Sequence, residues 1–115
     1  MTITQDFLSQ CSDDQINKGV AWLTIKEWGY GNKHKRKSID YFCSQGLLNS
    51  VTAGNVNYCN NPNDAWPIIL ENEMLIRPVF DDSGYWMAQM YQTHTHSKNP
   101  LRAAMEVYIL MSVAK

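Results

Sequence analysis

The residues best suited to chemistry lie around the start of the last predicted helix. In the run from His96 to Arg102, Asn99 is a typical N-cap and Pro100 fits the first helical position, where its missing N–H costs nothing. A helix N-terminus offers free N–H groups and a positive dipole. Because Lys98, His96 and Arg102 add basic groups there, the sequence predicts a binding site for a phosphate or a carboxylate.

Aromatic side chains complete this predicted ligand site. Trp66 and Trp86, together with Tyr85 and Tyr91, offer flat surfaces on which a base could stack. The predicted ligand-binding residues are therefore Arg102, Asn99, Lys98, His96, Trp66 and Trp86.

A structural role for the same residues stays open as the alternative. In that interpretation Asn99 caps only its own helix, and Arg102 pairs with a glutamate such as Glu106 or Glu71. The tryptophans then belong to the core.

A basic segment, GYGNKHKRK, runs from Gly29 to Lys37. It is typical of a solvated loop or a hairpin tip, but local positive charge also suits contact with a phosphate or an acidic protein. The predicted protein interface combines this segment with exposed aromatics: Lys33, Lys35, Arg36, Lys37, Tyr85 and Tyr91.

Catalytic patterns are missing from the sequence, which has no GxSxG, Walker, HExxH or GxGxxG motif. His94 and His96 are two residues apart, so they would lie on the same face of a strand and could bind a metal with Asp81 or Asp82. We expect neither a metal site nor a cofactor. A nucleophile and base formed by His94 with Cys43 or Cys59 is conceivable but is not predicted, so we expect no enzyme activity.

Three helices position these residues. Ser12-Asp13-Asp14-Gln15 has the form of a capping box and predicts a helix over 12–28. For the second helix, a start at Asn61 would place Pro67 beyond the first turn, so Asp64 is the predicted cap of a helix over 64–72, with Trp66, Ile68 and Ile69 buried. The third helix covers 99–113, and apolar residues around most of it predict that it is central and buried.

Strands fill the space between these helices. Alternating residues predict strands near 38–43 and 47–52, an edge strand over 74–80 that contains Pro78, and a return strand over 85–93. The fold class is α+β: one domain, residues 1–115, with an antiparallel sheet of three to five strands packed by about three helices. Apolar residues on both sides of the return strand also predict a homodimer.

Composition excludes several classes of protein. The 115 residues carry a net charge of −1, which gives no global attraction to nucleic acid or membrane. No apolar run approaches the ~20 residues of a membrane span, and the first residues do not form a signal peptide. Three cysteines without a CxxC pair suit reduced thiols, so we expect the protein in the cytoplasm.

Two motifs carry a resemblance to a known family. The sequence CNNPNDAWPIILEN, from Cys59 to Asn72, is followed by a strand pair and by NPLRAAM, from Asn99 to Met105. This order resembles the NinX family of lambdoid bacteriophages over about residues 58–111. The resemblance implies a phage gene product made in a bacterial cytoplasm, and it brings no known activity or catalytic residue.

Three functions follow as hypotheses. The favoured one is a small phage accessory protein that binds and blocks a host protein, such as a defence or recombination component, without catalysis. The second is a sponge that sequesters a small anionic ligand, such as a signalling nucleotide, at the start of the last helix. An enzyme ranks third, and direct nucleic-acid binding ranks lower.

Overall fold

The computed structural model describes residues 3–24, 57–79, 81 and 83–114. Its elements, in chain order, are α1 Gln5–Ser9, α2 Asp13–Thr24, α3 Pro62–Glu71, β1 Leu75–Pro78, β2 Trp86–Met90, β3 Thr93–Ser97 and α4 Pro100–Ala114. The strands form an antiparallel sheet in the order β1-β2-β3, which confirms the predicted α+β class. The predicted strands at 38–43 and 47–52, the end of the first helix at 25–28 and the basic segment lie outside the described residues.

The C-terminal helix α4 is the central element of the described fold, as predicted. It packs against β2, β3 and α2, and it also contacts α1, α3 and β1. Every residue from Arg102 to Val107 is buried, and Met105 belongs to the hydrophobic core. A helix covered on several sides needs an apolar surface wider than one stripe, which is the pattern in its sequence.

One face of the sheet packs on α4. Ala88 pairs with Ile76 on one side and Thr95 on the other, so these three side chains share a face. Ala88 is fully buried, and the buried hydroxyl of Thr95 donates to the carbonyl of Ala103 in α4 at 2.6 Å. β1 lies at an edge of the sheet, the position predicted for a strand that contains Pro78.

The predicted return strand over 85–93 is wrong in its extent. β2 ends at Met90, and Tyr91 enters a two-residue turn with a φ of +56°. The polar residues Thr93–Ser97 then form β3. Their sequence lacks apolar alternation because the one fully buried side chain of the strand, Thr95, is a polar residue that forms its hydrogen bond with α4.

The predicted start of α3 at Asp64 is also wrong. Asn61 caps the helix by accepting the N–H of Asn63 at 3.0 Å, Pro62 is the first residue, and Pro67 lies inside. Pro67 is exposed, so water can reach the backbone beside the missing hydrogen bond. The Asp64 carboxylate instead accepts the N–H of Asn57 at 2.9 Å, which holds the preceding turn.

The N-terminal helices differ in how well they are predicted. The capping box of α2 is confirmed, since Ser12 N–H donates to Gln15 Oε1 at 2.9 Å and Gln15 N–H donates to Ser12 Oγ at 3.2 Å. The short helix α1 was not predicted. Its cap is Thr4, whose hydroxyl accepts the N–H of Phe7 at 3.2 Å.

Candidate functional site

The structure brings four of the six predicted ligand residues to one place. His96, Lys98, Asn99 and Arg102 line a cavity of about 330 Å³ at the start of α4, next to Tyr85. The Lys98 ammonium lies over the Tyr85 ring, 5.8 Å from its centroid. The cavity is also lined by Ser9, Ser97, Asp13 and Glu106.

Trp66 and Trp86 are not among the residues that line this cavity. Trp86 lies in β2 on the face that packs against α4, and it is half-buried. Trp66 lies in α3 and is 53% exposed, which corrects the prediction that it is buried.

Arg102 is held by the protein itself. Its Nε donates to Glu106 Oε2 at 2.8 Å, and its Nη1 donates to Asp13 Oδ1 at 2.6 Å. Its Nη2 donates to the carbonyls of Leu8 at 2.8 Å and Cys11 at 2.6 Å. Four of its five N–H donors therefore have internal partners, and the predicted pairing with Glu106 is confirmed.

Asn99 closes the N-terminus of α4. Its Oδ1 accepts the N–H groups of Leu101 at 2.9 Å and Arg102 at 3.3 Å, and its carbonyl accepts the N–H of Ala103 at 3.0 Å. Pro100 has no N–H. The donors that an anion would use at a helix start are thus already paired, as in the structural alternative.

Charge in the cavity is balanced rather than positive. Arg102 pairs with the carboxylates of both Asp13 and Glu106, and Lys98 adds one exposed ammonium group to the same cavity. Burial raises the pKa of Glu106, and Arg102 offsets part of that rise. The Oε1 atom of Glu106 is buried and receives no hydrogen bond from any residue that the structure describes. The arrangement suits a structural ion pair better than a site that binds an anion tightly.

The remaining predicted chemistry involves His94, His96 and Cys59. The two histidine rings are exposed and lie 5.7 Å apart in a T-shaped arrangement. Within residues 3–24, 57–79, 81 and 83–114, no three His, Cys, Asp or Glu residues are grouped to hold a metal. Burial raises the pKa of the Cys59 thiol to about 12, which disfavours the thiolate that a nucleophile requires.

The most unusual surface is the outward side of α3. Its buried side consists of Ala65, Ile68 and Ile69, as an amphipathic helix requires. The outward side is apolar as well: Trp66 is 53% and Leu70 58% exposed, one helical turn apart. We call the exposed residues Pro62, Trp66, Pro67 and Leu70 the α3 face.

A groove lies at the C-terminal end of α3. It has a volume of about 320 Å³ and is lined by Glu71, Asn72, Glu73, Met90 and Tyr91. Both carboxylates are exposed, and Tyr91 is 80% exposed at the β2–β3 turn. The groove therefore combines negative charge with an open aromatic ring.

Comparison with known proteins identifies the family. A family model described as "Bacteriophage P22, NinX" matches residues 8–112. The chain belongs to this NinX family. The family match extends through the N-terminal half of the chain, beyond the two motifs that carry the sequence resemblance. Searches of curated proteins and of solved structures give no match.

The NinX motif around Asn60 has a structural role in this chain. Asn60 Nδ2 donates to Asp13 at 3.2 Å, and Asn99 Nδ2 donates to the Cys59 carbonyl at 2.7 Å. Asn17 accepts the Cys59 N–H at 2.9 Å. These contacts join α2, the turn before α3 and the start of α4.

The sequence predicts Trp66 and Tyr91 as binding residues, but it does not predict Leu70, Glu71 or Glu73. The sequence PIIL, from Pro67 to Leu70, indicates an exposed apolar residue, because four consecutive apolar residues cannot all lie on one side of a helix. Of the predicted interface, Tyr91 lies at the groove, Tyr85 lies at the α4 cavity, and Lys33, Lys35, Arg36 and Lys37 lie outside the described residues.

Proposed function

We propose that this NinX-family protein is a non-catalytic phage accessory protein that binds a host protein through the α3 face and blocks it. The observation that carries the proposal is the exposure of Trp66 and Leu70 on a helix whose other side already fills the core. Exposed apolar clusters on small proteins are typical of protein-binding surfaces, and tryptophan often contributes strongly to binding energy.

The family membership supports a host partner. A phage gene product acts among the proteins of the infected bacterium, and we place this one in the bacterial cytoplasm. No helix in the part of the chain that the structure describes is long and apolar enough to cross a membrane. The proposed target is a component of host defence or recombination, the class of host protein that a phage gains from blocking.

Sequestration of a small anionic ligand at the start of α4 stays an alternative hypothesis. The cavity there supports it, whereas the internal partners of Asn99 and Arg102 weigh against it. A ligand that binds only the folded protein adds about 2.7 kcal/mol of stability at a hundred times its Kd. Thermal shift with a panel of nucleotides tests it, with Lys98→Ala, at an exposed residue of the same cavity, as the variant that should reduce any such shift.

Site-specific crosslinking tests the proposal. A Trp66→p-benzoylphenylalanine variant is expressed in infected bacteria, and its crosslinked partner is identified by mass spectrometry. The matched control places the same amino acid at Gln10, an exposed position at the end of α1. We expect a specific crosslink from position 66 and none from position 10.

The identified partner is then purified and its affinity measured. Trp66→Ser with Leu70→Ser should weaken binding by about thirty-fold, corresponding to ~2 kcal/mol at a central interface residue, while Gln10→Ser leaves affinity unchanged. Equal crosslinking from both positions, or equal affinity of the double variant, contradicts the proposal. Native mass spectrometry of the same samples tests the predicted homodimer.

A further inference from the structure

Among the described residues of the α3 face and of the groove, every charged side chain is acidic. The sequence from Asn57 to Ile76 contains Asp64, Glu71 and Glu73 but no lysine or arginine. Asp64 is half-buried and accepts the Asn57 N–H, so its carboxylate is engaged. The other two carboxylates are exposed and line the groove, and Glu71 directly follows Leu70 in α3.

We infer that the α3 face and its groove bind a basic segment of the partner protein, with one arginine or lysine side chain in the groove. Its cation would lie between the carboxylates of Glu71 and Glu73 and beside the ring of Tyr91, while apolar partner residues cover Trp66 and Leu70. This inference rests on the proposed function and names the chemistry of the partner.

The size and contents of the groove fit such a side chain. A groove of about 320 Å³ lies at the low end of the volumes of small-ligand pockets, so it accommodates one long side chain but not a folded element. A guanidinium pairs with carboxylates through directed hydrogen bonds, and it also stacks on aromatic rings. Glu71, Glu73 and Tyr91 supply both kinds of contact at one place.

The backbone conformation at Glu73 and Tyr91 supports a role in binding for these two side chains. Glu73 has a φ of +51° and Tyr91 a φ of +56°, in the left-handed region that favours glycine. Glu73 follows the C-cap of α3, where its N–H donates to the Leu70 carbonyl at 3.2 Å and the Met74 N–H donates to the Ile69 carbonyl at 3.1 Å. This Schellman ending prefers glycine at the Glu73 position.

The Tyr91 position has the same preference. It is the first residue of a two-residue hairpin turn, and its carbonyl accepts Gln89 Nε2 at 2.7 Å. A positive φ at this place in a hairpin also favours glycine. Both large side chains therefore occupy positions that folding alone would give to glycine, and both line the same groove.

A second copy of the chain fits this surface less well than a basic partner. A two-fold interface would bring the same patch of each protomer together, so Glu71 and Glu73 of both copies would lie at one interface. Like charges in close contact oppose association.

Titration with a minimal probe tests the inference. The ¹⁵N-labelled protein is titrated with N-acetyl-arginine amide and with N-acetyl-citrulline amide, its uncharged analogue, while amide resonances are recorded. We expect saturable shifts at Glu71, Asn72, Glu73 and Tyr91 with the arginine compound only. Glu71→Gln with Glu73→Gln should weaken binding at least tenfold, while Asp6→Asn, an exposed acid on α1, should leave it unchanged.

The outcomes separate this inference from the proposed function. Equal shifts from both compounds, or shifts outside the groove, overturn the inference. If the partner crosslinked at position 66 binds the double glutamine variant with wild-type affinity, the inference fails and the proposed function stands. If arginine binds the groove but no partner crosslinks at position 66, the proposed function fails instead. A dimer that dissociates on Trp66→Ser overturns the inference in favour of a second copy.

Discussion

Replacing Glu73 by glycine should make the protein more stable. Glu73 has a φ of +51° at the end of α3, and the left-handed conformation costs an L-residue about 1–2 kcal/mol. Glycine relieves this cost, although its greater freedom in the unfolded chain offsets ~0.4–1 kcal/mol. The net stabilisation should be about 0.5–1 kcal/mol.

This gain is large enough to measure. An unfolding entropy of ~2.1 cal/mol/K per residue gives about 240 cal/mol/K for 115 residues, so Tm should rise by ~2–4 °C. Thermal unfolding followed by circular dichroism, together with urea unfolding, provides the two measurements. The same variant should bind the partner more weakly, because it removes one groove carboxylate.

Glu71→Gly is the matched control for this prediction. It also removes one exposed carboxylate from the groove, but Glu71 is the last residue of α3. Glycine within a helix costs up to about 1 kcal/mol, so Tm should fall by up to ~4 °C. A loss of stability in Glu73→Gly that equals the loss in Glu71→Gly would show that the left-handed conformation of Glu73 is not strained.

Three further predictions concern the buried polar residues. Arg102→Met leaves the Glu106 carboxylate unpaired in the core and should cost about 3–5 kcal/mol in urea unfolding, and adding Glu106→Gln should recover stability. The pKa of Glu106 is raised above 4.5 in the folded state, so stability should fall as pH rises from about 4.5 through that raised pKa. Glu106→Gln should remove this slope, and an unchanged slope would contradict the assignment. Cys59, with its pKa near 12, should react with iodoacetamide at pH 8 at least about a thousandfold more slowly in the folded than in the unfolded protein. Rapid labelling of the folded protein, followed by mass spectrometry, would contradict that burial.

The parts of the fold predicted from sequence were those with strong local signals. The capping box at Ser12, the Asn99-Pro100 helix start and the wide apolar surface of α4 each specify one structure. The start of α3 was mispredicted because local rules penalise Pro67 inside a helix, whereas its exposure lets water solvate the unpaired backbone. β3 was missed because its buried Thr95 is satisfied by a tertiary hydrogen bond to α4, which no local pattern reveals.

The candidate site was predictable only in part. The four residues His96, Lys98, Asn99 and Arg102 line one cavity, and their role as a ligand site stays a prediction. The sequence did not indicate that Asp13, Leu8 and Cys11 would form hydrogen bonds with Arg102. Those partners lie about ninety residues away in sequence, so their contacts depend on the complete fold. The groove depends on left-handed conformations at Glu73 and Tyr91, where sequence rules expect glycine or asparagine.

Hydrogen–deuterium exchange of the complex purified from infected bacteria decides whether the α3 face is the surface that binds the host protein. If a host protein covers the α3 face, amides of residues 62–74 and of the β2–β3 turn should exchange more slowly in the complex than in the free protein. The first turn of α4 should then be unchanged. Protection confined to residues 96–103, with α3 exchanging as in the free protein, would exclude the α3 face and place recognition at the cavity beside the start of α4.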